Sequence, residues 1–177
     1  KIYCQSLLSF LFLVHLFTMG QGEPVIIGQK FVIQSDSLNQ ERAFQISLPR
    51  YYNGGKENYP VLYLLDATEN FRHTSAGVNF LALNRRIPEM IVVGISNDED
   101  RIKDLTPPTE TEMTNFPSAG GADQFLNFVE KELIPHIGQN YRTNDYKILV
   151  GQLLILRSEI FFTYLTSNTF TLMGCKW

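Results

Sequence analysis

From Glu23 onward the apolar residues alternate between a spacing of two and a spacing near 3.6, the signature of a sheet crossed by helices. The pattern predicts strands over Pro24 to Ile33 and Ala43 to Leu48, an antiparallel pair, followed by a turn-rich link holding Asn53-Gly54-Gly55. Pro60-Val61-Leu62-Tyr63-Leu64-Leu65 is an unbroken apolar run, as in a strand buried on both faces, and it stops at Asp66. Thr74 to Leu83 reads as a helix, Met90 to Val93 as a second buried strand running into Gly94, and Tyr146 to Val150 as a third, ending at Gly151. Residues 96–120 are polar and carry Pro107, Pro108 and Pro117, which predicts a surface excursion without a long regular element. Gly121 to Ile134 places Phe125, Leu126, Val129, Leu133 and Ile134 at helical spacing, with Asp123, Asn127, Glu130 and Lys131 opposite. Pro135 is expected to break or kink that helix between Leu133 and Ile137. The alternation predicts one α/β domain with a mostly parallel sheet, an antiparallel N-terminal pair and flanking helices.

The first residues have a different character. An apolar run from Leu7 to Phe17 is followed by Thr18-Met19-Gly20-Gln21-Gly22, which predicts a signal peptide over residues 1–22 and a secreted or periplasmic protein. At about 1.5 Å per residue the run covers roughly half of a hydrocarbon core of about 30 Å, so no stable membrane span is expected after cleavage. Thr18 and Gly20, or Gly20 and Gly22, offer the small residues for the cut.

Composition narrows the function classes. The 177 residues are 44% hydrophobic and 19% charged, which supports a packed core over disorder. Fifteen Lys and Arg against 18 Asp and Glu leave a net charge of −3, too little positive charge to grip a phosphate backbone, so nucleic acid is not an expected partner. Cys4 and Cys175 have no Cys or His at ligand spacing, and neither a metal nor another cofactor is expected.

Five phrases stand in a familiar order: YPVLYLLDATENF (59–71), EMIVVGIS (89–96), DRIKDLTP (100–107), GGADQFLNFVEKELIPHI (120–137) and YRTNDYKILVG (141–151). On these the chain resembles the esterase family related to enterochelin esterase and esterase D, from roughly residue 25 to residue 151. The resemblance implies the α/β-hydrolase fold and hydrolysis of a small-molecule carboxylic ester by a serine nucleophile. In that family the last strand leads into Gly-His-Ser-x-Gly-Gly, a strained elbow that holds the serine above the sheet. Here the place reads Gly151-Gln152-Leu153-Leu154-Ile155-Leu156, so Leu153 stands where the serine is expected and no catalytic residue can be assigned. The acid and the histidine that follow the nucleophile in this fold are not found in the 24 residues after Leu153. Residues 23–151 are accordingly expected to be a partial domain with its C-terminal half missing, and 152–177 a divergent tail produced by a frameshift, an unspliced intron or a truncating rearrangement. The polypeptide is expected to lack serine-esterase turnover. The alternatives are a non-catalytic ligand-binding protein and an unstable truncated product that self-associates through an exposed sheet edge.

Individual residues carry further expectations, each with a plain structural counterpart. The resemblance implies that the turn Asp66-Ala67-Thr68 lends a backbone N–H, of Ala67 or Thr68, to an oxyanion hole. Asp66 itself reads as a pocket residue or, more simply, as a helix or turn cap. His73 has the chemistry of a general base near a substrate, against a surface or loop-packing role. Arg101 with Asp100 and Asp104 either lines a pocket or ties its loop down. Ser96 after the second buried strand lacks the second glycine of an elbow and reads as a loop serine, and His136 reads as a structural helix-end histidine.

Overall fold

The computed structural model describes residues 22–98, 101–108, 110–152 and 171–175. Among the described residues six strands form one sheet: β1 (Gln29–Ser35), β2 (Gln40–Ser47), β3 (Tyr59–Leu64), β4 (Ile91–Ile95), β5 (Thr143–Gln152) and β6 (Thr171–Cys175). Their order across the sheet is β1-β2-β4-β3-β5-β6. β1 pairs with β2, and β2 with β4, antiparallel; β3, β4, β5 and β6 run parallel. The predicted mixed α/β architecture with an antiparallel N-terminal pair is the one observed. Within 152–177 a strand is present, since β6 extends the parallel sheet beyond β5.

Side-chain parity along the central strands divides the core into two layers. Tyr59, Val61, Tyr63 and Leu65 of the β3 segment, with Ile91, Val93 and Ile95 of β4 and Leu149 of β5, pack against Phe125, Phe128, Leu133 and Ile137. The opposite set, Leu62, Leu64, Val92 and Ile148, packs against Ala67, Phe71 and Val78 of helix α1 (Ala67–Leu83). Every residue of β3 and of β4 is buried, which explains why both read as continuous apolar runs. Burying each of these side chains contributes about 1.5–3 kcal/mol. The outer end of α1 is less covered, with Phe80, Leu81 and Leu83 exposed.

Three departures from the predicted elements have local causes. β1 starts at Gln29 instead of Pro24, and Val25 and Ile26 are exposed; the chain there is held by the Ser47 hydroxyl donating to the Ile27 carbonyl at 2.7 Å. α1 begins at Ala67, seven residues before the expected start, because the turn at Asp66 feeds directly into it. The surface excursion holds two short helices, α2 (Arg101–Leu105) and α3 (Glu110–Asn115).

The helix expected to break or kink between Leu133 and Ile137 does not break there; its irregularity is a π-turn that ends at Leu133. Ala122–Phe128 is α-helical, Val129–Leu133 is a π-turn and Ile134–Asn140 is α-helical again, so α4 runs continuously over 122–140. A proline removes one N–H and crowds the carbonyl four residues back. The wider turn meets that requirement: the Ile134 N–H reaches back five residues to the Val129 carbonyl, immediately before the proline. Glu132 on this turn accepts the Ser37 amide at 2.8 Å and so fastens α4 to the β1–β2 hairpin. Burial pushes its carboxyl up, but bonds from the Ser37 and Ser35 hydroxyls and the Ser37 and Asp36 amides outweigh that and hold it below the usual carboxylate range.

Candidate active site

In an open parallel sheet the crevice forms where the strands' C-terminal ends meet their loops. Here β3 leaves the sheet with the Leu65 N–H bonded to the Val150 carbonyl of β5 at 2.9 Å. The next residue, Asp66, adopts the left-handed conformation (φ 52°, ψ 44°), and α1 starts immediately after it. A non-glycine residue there costs on the order of 1–2 kcal/mol, so neighbouring contacts must hold it.

They do so from three sides. The Asp66 N–H donates to the Asn97 side-chain oxygen at 3.2 Å. Its carbonyl accepts the Asn70 amide nitrogen at 3.0 Å. Its carboxylate accepts both Arg101 Nε at 2.7 Å and Arg101 Nη2 at 3.0 Å, a bidentate fork from α2. Asp66 occupies the N-cap position of α1, yet its side chain makes no capping bond there. The cap expectation therefore holds for position and fails for chemistry: the carboxylate is committed to arginine.

Beneath this turn lies a second, fully buried ion pair. Arg42 of β2 donates to Asp104 of α2 through Nη1 at 2.5 Å and Nη2 at 3.1 Å, and through Nη1 to the Ser96 carbonyl at 3.1 Å. Asn97 donates its Nδ2 to Asp104 at 2.8 Å. Arg42, Asp104 and Asn97 are 2%, 2% and 1% exposed. Thr68 donates its hydroxyl to Asp98 and lies 3.3 Å from the Ser96 hydroxyl, which closes the rim between β3 and β4.

Of the residues singled out by sequence, Asp66, Ala67, Thr68, Ser96, Arg101 and Asp104 are gathered at this end of the sheet. Arg101 pairs with Asp66, and Asp104 pairs with Arg42. Ala67 is buried and Thr68 exposed at the head of α1, while His73 is exposed further along the same helix. His136 belongs to the other layer, edge-on to Phe44 with ring centroids 5.8 Å apart. Leu153, Asp100 and residues 1–21 lie outside the described residues. Arg42 and Asn97 were missed. Arg42 carried a signal: it shares the inward parity of Phe44 and Ile46 on β2, and an arginine at a core position requires a buried carboxylate partner.

Other features stand apart from this site. An open cleft of about 850 Å³ lies at the opposite end of the sheet, lined by Tyr51, Glu57, Asn58, Glu89 and Tyr146 among others. Among the described residues no three His, Cys, Asp or Glu side chains stand together as metal ligands, and no described helix is long and apolar enough to cross a membrane.

The strand order, the antiparallel placement of β2 and the clamped loop after β3 define an α/β-hydrolase type of scaffold. The family model described as Putative esterase matches residues 35–154, and the chain belongs to that family. It is 27% identical to ferri-bacillibactin esterase BesA of Bacillus subtilis, over 84% of this chain and 61% of that protein. Among solved structures it is similar to an IroE-like serine hydrolase from Shewanella oneidensis, with 36% identity and a TM-score of 0.64, covering 71% of this chain and 42% of the other. The siderophore hydrolase EstB from Aspergillus nidulans shares the fold at 18% identity and a TM-score of 0.61, covering 75% of this chain and 51% of that one. The chain thus spans less than two thirds of the length of these relatives.

Proposed function

We propose that residues 23–151 form the part of an ester hydrolase that receives a small-molecule ester and polarises its carbonyl. The single observation carrying this reading is the left-handed turn at Asp66, which delivers the first amides of α1 to the C-terminal edge of the sheet. Those N–H groups have no acceptor four residues back within the helix, and the Asp66 side chain does not cap them. The Ala67 or Thr68 amide is then the donor for the oxygen that gains charge when an ester carbonyl is attacked. One such donor is worth about 2.7–4 kcal/mol in acyl transfer. The names of the relatives, a ferri-bacillibactin esterase and a siderophore hydrolase, favour a siderophore ester as substrate.

Leu153 occupies the family's serine position, so we infer that the 177-residue polypeptide has no serine-based turnover of its own. The apolar run from Leu7 to Phe17 supports export to the periplasm or the medium. The test has two readouts on this polypeptide. With p-nitrophenyl butyrate and a fluorophosphonate probe we expect neither a burst nor a labelled serine; a labelled serine would overturn the inactivity. In an NMR titration with phenylphosphonate, a stand-in for the tetrahedral oxyanion, the Ala67 and Thr68 amides should shift first. Shifts confined to other amides would overturn the donor assignment.

A further inference from the structure

The buried Arg42–Asp104–Asn97 cluster does not reach the surface where an ester would sit, yet it touches the turn that does. Its chemistry is directional. The Asp66 N–H can only donate, and the Asp104 carboxylate paired with Arg42 can only accept. Asn97 stands between them with one group of each kind, its oxygen toward Asp66 and its nitrogen toward Asp104. Turning that amide over would set an NH2 against an N–H and an oxygen against a carboxylate, replacing two hydrogen bonds by two repulsions. At 1–2% exposure both groups are shielded from bulk solvent, which would otherwise soften the repulsions. Of the described side chains that grip Asp66 from beyond α1, Arg101 is partly solvent-exposed, at 30% of its side chain, and Asn97 is the buried one.

We propose that Asn97 is a positioning residue: its amide, locked in one orientation by the Arg42–Asp104 pair, holds Asp66 left-handed and so aims the first amides of α1. An arginine on β2 thereby sets the direction of a loop it never touches. The functional meaning rests on the oxyanion-donor reading above, whereas the locking itself does not.

Asn97→Asp tests the lock because it makes the orientation depend on a proton. Among the described residues the charged groups around position 97 are Arg42 from β2, Asp104 and Arg101 from α2, Asp66 from the β3 turn and Asp98 beside it in the chain. With two carboxylates sharing one site, ionisation of both is disfavoured. Protonated, the introduced carboxyl donates its O–H to Asp104 and its carbonyl oxygen accepts the Asp66 N–H, so the network survives; ionised, it is repelled by Asp104 and the turn is released. In the full chain, hydrogen exchange of the Asp66, Ala67 and Thr68 amides, corrected for intrinsic pH dependence, should rise at least 10-fold between pH 5 and pH 8 in Asn97→Asp. The parent protein should show no such rise, and the Leu62 to Leu64 amides of β3 should not change in either. A pH-independent turn in the variant, or a loss of protection spread evenly over the sheet, would overturn the proposal.

If Asn97→Asp does not fold, the parent protein decides. A through-hydrogen-bond nitrogen–carbon coupling from the Asp66 amide to the Asn97 side-chain carbonyl is expected, and its absence overturns the lock. Repeating the phenylphosphonate titration of the variant at both pH values separates the two claims. If turn order follows pH but the probe never shifts Ala67 or Thr68, the donor reading fails and the lock stands. If the probe shifts them equally at both pH values while the turn stays ordered, the lock fails and the donor reading stands.

Discussion

Gly94 lies in the middle of β4 on the side that faces α1, and the close approach of helix to sheet depends on its missing side chain. A Cβ there would stand 2.7 Å from the Ala67 Cβ and 2.7 Å from Phe71 Cδ2, where ordinary contact begins at 3.4 Å. The Ala67 methyl has no rotamer to escape into, so the head of α1 must retreat by about 0.7 Å, an overpacking that costs about 1–3 kcal/mol. Replacing a mid-strand glycine returns roughly 0.5–1 kcal/mol of chain entropy. Gly94→Ala is therefore expected to destabilise the fold by about 1–2 kcal/mol. Gly77→Ala is the matched control: it lies in α1, a Cβ there meets nothing within 4 Å, and the change should stabilise by up to about 1 kcal/mol. Urea unfolding followed by circular dichroism gives both values from one pair of midpoints at constant slope. Adding Phe71→Leu to Gly94→Ala should cost less than the sum of the two single changes, since one relieves the crowding made by the other. A Gly94→Ala midpoint at or above that of the parent would refute the argument from close approach.

Two further outcomes follow from the paired and hydrogen-bonded charges. Arg42→Met strips Asp104 of its counter-charge at 2% exposure and should destabilise by about 3–5 kcal/mol, whereas Arg42→Met combined with Asp104→Leu should recover part of that, the Asn97 amide being left without its acceptor; additive losses in the double-mutant cycle would show that the two do not act as a pair. Glu132 has its folded pKa below the ordinary 4.5, so its stabilisation is fully present above that value and is lost as pH falls through the lower, folded one. Glu132→Gln should flatten the fall in thermal midpoint between pH 5 and pH 3 relative to the parent, and an unchanged slope would remove Glu132 from the acid response.

The fold was legible wherever periodicity and burial agree. YPVLYLL and MIVV announced strands buried on both faces because both α1 and α4 cover them, and the alternation in AFQISL marked β2. Legibility failed where the backbone had a local alternative to breaking. Pro135 signals a break or kink, and a π-turn whose reach ends at Ile134 carries the helix past it without a break. The site was half legible: the segment Asp66 to Thr68 and Arg101 stood out through the family phrases, while Asn97 carries no local mark of its role. Its importance lies in the one-way character of two neighbours that are 31 and 7 residues away in sequence.

The strand order also sets a timetable for synthesis. β3 sits between β4 and β5, so a strand buried along its whole length is made before either of its neighbours exists. At about 5–20 residues per second, the roughly 85 residues from the end of β3 to the end of its β5 pairing take on the order of ten seconds to emerge. Throughout that interval the YPVLYL strand has at least one edge open, while the β1–β2 hairpin can close at once. Slowing translation between residues 65 and 143 should therefore lower the soluble yield more than slowing it anywhere earlier.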